Sequence, residues 1–185
     1  MATEPKLHHF VLSDLHFGHK RIVDYSRTQF TSIDEHDQHI INCINTVCHK
    51  DDYLWLLGDI GFTKPALEKL QDINCRMALI GGNHDCFSAS RYLTHFEQFR
   101  GIVTAKFAAY GDILFSHVPM HSAQKRWAYN VHGHNHVDLI EDSRYINVTC
   151  EYLDYTPARI HSLLAQRKLK EYLENGADLH SLPNC

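Results

Sequence analysis

The sequence predicts an α/β fold whose first half contains a parallel β-sheet. Helix and strand patterns alternate over about the first hundred residues, the order expected of β-α-β units. The apolar run at residues 53–57 is continuous, as in strands that are covered on both faces. Polar side chains follow this run and several others, and parallel sheets bind ligands beyond the carboxyl ends of their strands. A candidate site is therefore expected at one edge of the sheet.

Strands in the first half are predicted at residues 8–12, 53–57 and 76–80, with helices between and after them. The helices are predicted at residues 22–26, 32–50, 65–73 and 87–98. The second of these has apolar residues three or four positions apart, which is typical of an amphipathic helix. Pro65 suits the first turn of the third.

Strands dominate the second half. Residues 102–110 and 113–115 predict a hairpin with its turn at Gly111 and Asp112, and further strands are expected at 129–131 and 144–149. Thr156 is expected to cap a last helix, which Pro157 opens and Asn175 and Gly176 end. One domain is expected over residues 1–176, followed by a C-terminal tail at 177–185.

Composition excludes some functions and favours others. The net charge is −4 and no basic run occurs, which argues against autonomous nucleic-acid binding. No apolar run reaches the roughly 20 residues that cross a membrane, and no signal peptide is evident. The six cysteines form no C-x-x-C pair, so a reduced, cytoplasmic protein is expected. The 16 histidines favour a metal site.

The polar residues at the run ends are the types that bind metals and transfer protons. They are Asp14, His16, Asp59, Asn83, His84, Asp85, His117, His134 and His136. His19 and Arg21, at the start of the first helix, are plausible phosphate contacts, although Arg21 also fits a solvated surface. Lys125 and Arg126, in a loop expected near the site, are further candidates for substrate binding. Six other histidines are expected at the surface or core edge: His36, His39, His49, His95, His161 and His180.

Five short motifs carry a family resemblance. D-x-H at 14–16, G-D at 58–59, G-N-H-D at 82–85, His117 and G-H-x-H at 133–136 occur in the order seen in calcineurin-like metallophosphoesterases. The chain resembles the small single-domain bacterial and phage members of that superfamily. The resemblance implies a four-layer α-β-β-α sandwich, in which helices flank two mixed β-sheets.

The resemblance also implies two divalent metal ions. Asp14, His16, Asp59 and His136 would hold the first, and Asp59, Asn83, His117 and His134 the second, so that Asp59 bridges them. Nitrogen and oxygen ligands without Cys fit Mn, Fe, Co, Ni or Zn, with manganese the first choice. His84 would stabilise the phosphoryl oxygen or protonate the leaving group. Asp85 would either orient His84 or cap a helix.

The implied function is hydrolysis of a phosphodiester or phosphomonoester by attack of a metal-bound hydroxide. A small nucleotide or a cyclic phosphodiester is the favoured substrate, and no membrane partner is expected. One alternative is a small metallonuclease of the same family, and another is a catalytically idle, metal-bound scaffold that binds proteins. The sequence leaves the natural substrate, the preference for monoesters or diesters, the native metal and the oligomeric state open.

Overall fold

Two mixed β-sheets form the centre of the computed structural model, which describes residues 7–124 and 126–174. In spatial order the strands of the first sheet are β4 (Gln98–Arg100), β3 (Arg76–Ile80), β2 (Tyr53–Leu56), β1 (His9–Leu12) and β9 (Ala158–Arg159). The first four run parallel, and β9 pairs antiparallel with β1. The parallel sheet that the first half of the sequence predicts is thereby confirmed.

The second sheet is built from the second half of the chain. Its strands, in spatial order, are β5 (Ile102–Phe107), β6 (Gly111–Ser116), β7 (Tyr129–His132) and β8 (Tyr145–Asn147). The first pair is antiparallel and the other two pairs are parallel. The carboxyl ends of β6 and β7 therefore lie side by side, as those of β1, β2 and β3 do in the first sheet.

Helices flank the two sheets. They are α1 (Lys20–Tyr25), α2 (Ile33–Val47), α3 (Lys64–Glu68), which continues as a 3₁₀ turn at Lys69–Asp72, α4 (Ala89–Tyr92) and α5 (Ile160–Glu174). Ser32 and Thr63 cap α2 and α3 by accepting hydrogen bonds from the amides of Glu35 and Ala66.

Alternate residues of the first sheet enter two different cores. Phe10 and Leu12 face the core that includes Ile40 of α2, whereas Val11 faces the second sheet. The Val11 core also contains Val131 of β7 and residues of α5. Since every strand of a sheet covered on both faces must be apolar throughout, this packing explains the continuous runs. The expectation of two mixed sheets flanked by helices in a single domain is confirmed.

The predicted helix at 87–98 is wrong for most of its length. Only Ala89–Tyr92 is helical, with Ser88 accepting a hydrogen bond from the Arg91 amide as its N-cap. Residues 98–100 instead form β4, which extends the sheet beside β3. The apolar residues fit a helical period, but pairing with an open sheet edge outweighs that local preference.

The last helix begins later than predicted, and the hairpin turn lies elsewhere. Residues 158–159 add β9 to the edge of β1, so α5 starts at Ile160 and Thr156 is not its cap. The hairpin turns at residues 108–110, where the Tyr110 amide bonds to the Phe107 carbonyl at 3.0 Å, and Gly111 opens β6. The expected stop at Asn175 and Gly176 and the tail at 177–185 lie outside the described residues.

Within residues 7–124 and 126–174, we find no helix that is both long enough and apolar enough to cross a bilayer.

Candidate metal centre

Strand pairing gathers the predicted ligands just beyond the carboxyl ends of the strands of both sheets. The register that opposes Leu12 to Leu56 continues into the loops, where the Asp14 amide bonds to the Gly58 carbonyl at 3.1 Å. The His16 amide bonds to the Asp59 carbonyl at 2.9 Å in the same way. In the second sheet, the Gly133 amide bonds to the His117 carbonyl at 2.9 Å. The G-H-x-H motif is thus held beside His117.

Asp14, His16 and His136 form a first group that can hold a metal ion, and their candidate ligand atoms all lie within 4.8 Å of one another. The Nε2 atoms of His16 and His136 lie 3.7 and 3.5 Å from Asp14 Oδ1. The two Nε2 atoms are 3.2 Å apart. Three of the four residues expected at the first metal are therefore together.

Asp14, Asp59 and His117 form a second group of the same kind. His117 Nε2 lies 3.4 Å from Asp59 Oδ2 and 2.8 Å from Asn83 Oδ1. The imidazole of His134 packs against that of His117 at a centroid distance of 5.1 Å. The family resemblance implies that both metals share Asp59, and Asp59 Oδ2 does reach His16 Nε2 at 3.9 Å. Asp14, however, is the carboxylate common to both groups.

The orientations of two imidazoles and one carboxylate fit a cation. His117 donates its Nδ1 proton to the Leu57 carbonyl at 2.7 Å, and His136 donates its Nδ1 proton to Glu151 at 2.8 Å. Both Nε2 atoms are thereby turned toward the carboxylates. Asp14 is fully buried, yet its Oδ1 accepts no hydrogen bond in the described structure. Because a buried carboxylate oxygen without a partner is costly, a divalent ion bound by nitrogen and oxygen ligands suits this position.

The local charges keep the two carboxylates ionised. Burial by itself raises the pKa of Asp14, but the nearby imidazole of His16 and the charge of His117 hold that pKa below its usual value. Asp59 likewise has a lowered pKa, because bonding to His117 outweighs burial. Burial opposes the charge on His117, yet Asp59 and Asp14 raise its pKa. The same oxygens that favour a proton on His117 also attract a metal cation.

Four of the predicted ligands have a left-handed backbone. Their φ angles are 62° for Asp14, 53° for His16, 55° for Asp59 and 68° for His134. This region costs an L-residue about 1–2 kcal/mol, and such residues cluster at functional sites, where the surrounding structure holds them in place. The strain marks the same loops as the sequence motifs and is independent of them.

Glu151 and Arg27 support the first group and are not among the candidates drawn from the sequence. Glu151 Oε1 accepts from His136 Nδ1 and from Arg27 Nε, each at 2.8 Å. Although burial opposes it, bonding to His136 and Arg27 lowers the pKa of Glu151 to about 2. Arg27 is fully buried and also donates to the carbonyls of Asp14 at 2.7 Å and Leu15 at 3.1 Å. The pair therefore fixes both an imidazole and the strained D-x-H loop.

Glu151 follows the strand predicted at 144–149, and polar residues directly after predicted strands are the pattern that marked the other site residues. The same pattern could therefore have identified Glu151. Arg27 lies beyond the end of α1, where no motif marks it. His36, expected at the surface or core edge, is instead fully buried, because it accepts from Arg27 and donates to Asp37, each at 2.8 Å.

His84 lies at the exposed rim of the centre. Its amide donates to Asp59 Oδ1 at 2.9 Å, so the backbone places it beside the second group. Its ring packs against Phe62 at 5.0 Å, and Phe62 also contacts the rings of His16 at 5.6 Å and His19 at 4.4 Å. Phe62 thus forms an aromatic support for three histidines, and no sequence motif marks it.

Asp85 fixes the loops of the centre. Its Oδ2 accepts from the amides of Asp59 at 2.9 Å and Gly82 at 2.8 Å, and its Oδ1 accepts from Ile60 at 3.0 Å. The helix-cap alternative is wrong, because Ser88 occupies the N-cap of α4. The described bonds of Asp85 hold the loop that presents Asn83 and His84.

The four predicted substrate contacts have different outcomes. His19 and Arg21 line a cavity that opens beside His16, His84 and His136. Arg126 is exposed and is not among the residues that line this cavity. Lys125 lies outside the described residues.

Comparison with known proteins identifies relatives and a fold. No family model matches the chain. The uncharacterized protein MJ1445 of Methanocaldococcus jannaschii is 27% identical, with 82% of this chain and 86% of that protein aligned. Protein AQ665 of Aquifex aeolicus, a protein of unknown function, has a crystal structure with a TM-score of 0.67 at 20% identity, covering 90% of this chain and 99% of that one. That likeness shows a shared fold.

The gene 66 protein of Mycobacterium phage L5 is more similar in sequence. It is 33% identical to this chain over 167 residues, an alignment that spans 73% of this chain and 80% of the phage protein. The aligned share of both proteins is too large for a single shared motif. This chain therefore belongs to the same protein family as the gene 66 protein of Mycobacterium phage L5.

Proposed function

We propose that this protein is a phosphoric ester hydrolase that uses two divalent metal ions, with Mn²⁺ the first choice. The proposal rests on the two groups that can hold a metal ion, which share Asp14. The unpartnered Asp14 Oδ1 and the inward Nε2 atoms of His117 and His136 support it. The five motifs of the metallophosphoesterase resemblance fall on these same loops.

In this proposal Asp14, His16 and His136 hold one ion and Asp59, Asn83, His117 and His134 the other. Asp14 belongs to both groups, and Asp59 of the second group also lies 3.9 Å from His16 Nε2 of the first, so both carboxylates are suited to contacts with each ion. Paired divalent ions supply Lewis acidity toward phosphoryl oxygens and lower the pKa of a water molecule. Ligands of mixed nitrogen and oxygen type leave Fe, Zn, Ni and Co as other ions to compare.

His84 is the proposed proton donor. Because it lies at the exposed rim beside both groups, it can reach a phosphoryl or leaving-group oxygen without being a ligand. Asp85 acts on it through the loop backbone, as a positioning residue. Glu151 and Arg27 are also positioning residues. Glu151 orients His136 by accepting its Nδ1 proton, and Arg27 holds Asp14 by donating to its carbonyl.

The proposed substrate is a small phosphodiester or phosphomonoester. The net charge of −4 disfavours holding a long polyanion, so a nucleotide or cyclic phosphodiester is favoured over a nucleic acid. Five cysteines of the described chain are free thiols, which fits a proposed location in the reducing cytoplasm.

The experiment compares hydrolysis of bis-p-nitrophenyl phosphate and p-nitrophenyl phosphate by metal-stripped protein before and after Mn²⁺ is restored. We expect turnover only with metal, and the ratio of the two rates assigns the diester or monoester preference. His84→Ala is expected to lose turnover while still binding metal, with His49→Ala as the control because His49 is exposed and lies in a separate cavity. Metal binding without turnover of either ester would favour the scaffold alternative.

A further inference from the structure

A cavity of about 430 Å³ opens directly beside the first metal-competent group. Both imidazoles of that group, His16 and His136, form part of its wall, as does the proposed proton donor His84. Its volume lies within the range of roughly 300–1,000 Å³ that small-molecule sites occupy. The cavity can therefore hold the part of a small substrate that is attached to the reacting phosphate.

The wall of this cavity is suited to an anionic ligand. Its described lining residues include Arg21 and four histidines but no carboxylate. The ring of His19 lies beside that of His16, with 5.7 Å between the two ring centroids. An anion can accept hydrogen bonds here without meeting a negative side chain.

The outer wall, formed by α1, presents an aromatic ring. Tyr25 lines this cavity and is 74% exposed, so the face of its ring is available to a ligand. The Arg21 guanidinium lies 5.3 Å from the centroid of the Tyr25 ring. Stacked arginine and aromatic groups are the side chains on which nucleobases stack without regard to base identity.

We infer that this cavity binds the nucleoside part of a nucleotide substrate, with the base stacked on Tyr25 and Arg21. The inference rests on the proposed function and names its substrate class: a phosphate ester that carries a nucleobase. The phosphate lies toward His84 and His136, and the base lies toward α1. Tyr25 and Arg21 then determine the preference for esters that carry a nucleobase, and they take no part in the reaction itself.

The test measures, by calorimetry on Mn²⁺-loaded protein, the binding of adenosine 5′-monophosphate and ribose 5-phosphate. The two ligands share their sugar and phosphate and differ in the base. Wild type is expected to bind the nucleotide about tenfold more tightly, as base stacking on an aromatic side chain provides. Tyr25→Ala should remove that preference and leave the affinity for ribose 5-phosphate unchanged, whereas Tyr25→Phe should keep it.

Tyr152→Ala is the matched control, because Tyr152 is also exposed, at 37%, but lines a different cavity. Equal wild-type affinities for the two ligands would overturn the inference. So would a Tyr25→Ala variant that loses both ligands equally, since Tyr25 would then be structural. If the protein hydrolyses the p-nitrophenyl esters with metal but binds the two ligands equally, the nucleoside subsite is rejected and the proposed hydrolase stands. If it binds the nucleotide more tightly but shows no metal-dependent hydrolysis, the proposed hydrolase is rejected and the nucleoside subsite stands.

Discussion

Replacing Glu151 tests whether the centre depends on its supporting ion pair. Glu151 holds His136 Nδ1 and Arg27 Nε at 2.8 Å each, and the Arg27 side chain is completely buried. Glu151→Ala leaves that charge without its carboxylate and frees the His136 ring to rotate. We therefore expect the variant to lose both stability and metal affinity.

The expected loss of stability is about 3 kcal/mol. Removing one partner of a buried ion pair costs roughly 3–5 kcal/mol, and the lower end applies because Arg27 keeps its bonds to the Asp14 and Leu15 carbonyls and to His36. The lowered pKa of Glu151, from 4.5 to about 2, corresponds to a similar stabilisation of about 3 kcal/mol. For a chain of 185 residues this lowers the melting temperature by about 6–12 °C.

The assay is urea unfolding in EDTA, so that metal loss does not contribute, followed by calorimetric titration with Mn²⁺. Metal affinity is expected to fall about 10–100-fold, as for other residues that orient a ligand imidazole. Glu97→Ala is the matched control, because Glu97 pairs with Arg76 at the same 2.8 Å distance but on the surface. If Glu151→Ala unfolds like Glu97→Ala and binds Mn²⁺ like wild type, the centre does not depend on the Glu151–Arg27 pair.

The same pair predicts a pH dependence. Because the pKa of Glu151 is lower in the folded protein than in the unfolded chain, its stabilisation is fully present above about pH 4.5 and is lost as the pH falls toward 2. The difference in unfolding free energy between wild type and Glu151→Gln should be constant near neutral pH and narrow below about pH 4.5. A difference that stays constant through the acid range would contradict this assignment.

Three further predictions concern the loop that carries Asn83. His84→Ala should bind Mn²⁺ with wild-type affinity but lower kcat about 10²–10⁴-fold, as measured by calorimetry and steady-state kinetics. Gly82→Ala should destabilise the fold and weaken metal binding, because a Cβ there would lie 2.6 Å from the Asp59 amide nitrogen. Thermal unfolding measures the loss of stability, and calorimetric titration with Mn²⁺ measures the loss of metal affinity. Asp85→Asn should cost about 1–3 kcal/mol in urea unfolding, since an amide cannot accept all three backbone N–H bonds that Asp85 accepts.

Weak Mn²⁺ binding by His84→Ala would make His84 a ligand and leave its proposed proton transfer unsupported. Gly101→Ala is the control for Gly82→Ala, because no atom lies within 4 Å of its added Cβ; equal stability of the two variants would contradict the steric reasoning. Wild-type stability of Asp85→Asn would mean that the three amides have other acceptors.

The sequence determined the parts of this protein that local chemistry controls. Continuous apolar runs predicted β1, β2 and β3, because strands that are buried on both faces carry apolar side chains at consecutive positions. The polar run ends predicted a common site, because parallel strands end at one edge. The structure brings Asp14, His16 and His136 together, and Asp59 beside His117, although 122 positions separate Asp14 from His136.

Tertiary structure decided what depends on contacts between distant segments. Residues 98–100 and 158–159 became edge strands because β3 and β1 offered unpaired backbone, a fact that no local pattern contains. Glu151 gained its role from Arg27, which is 124 positions away in the chain. Phe62 and Tyr25 look like ordinary apolar and surface residues until packing sets them beside the histidines and the cavity. Motif residues specify chemistry through their own functional groups, whereas supporting and substrate-facing residues acquire their roles from where the fold places them.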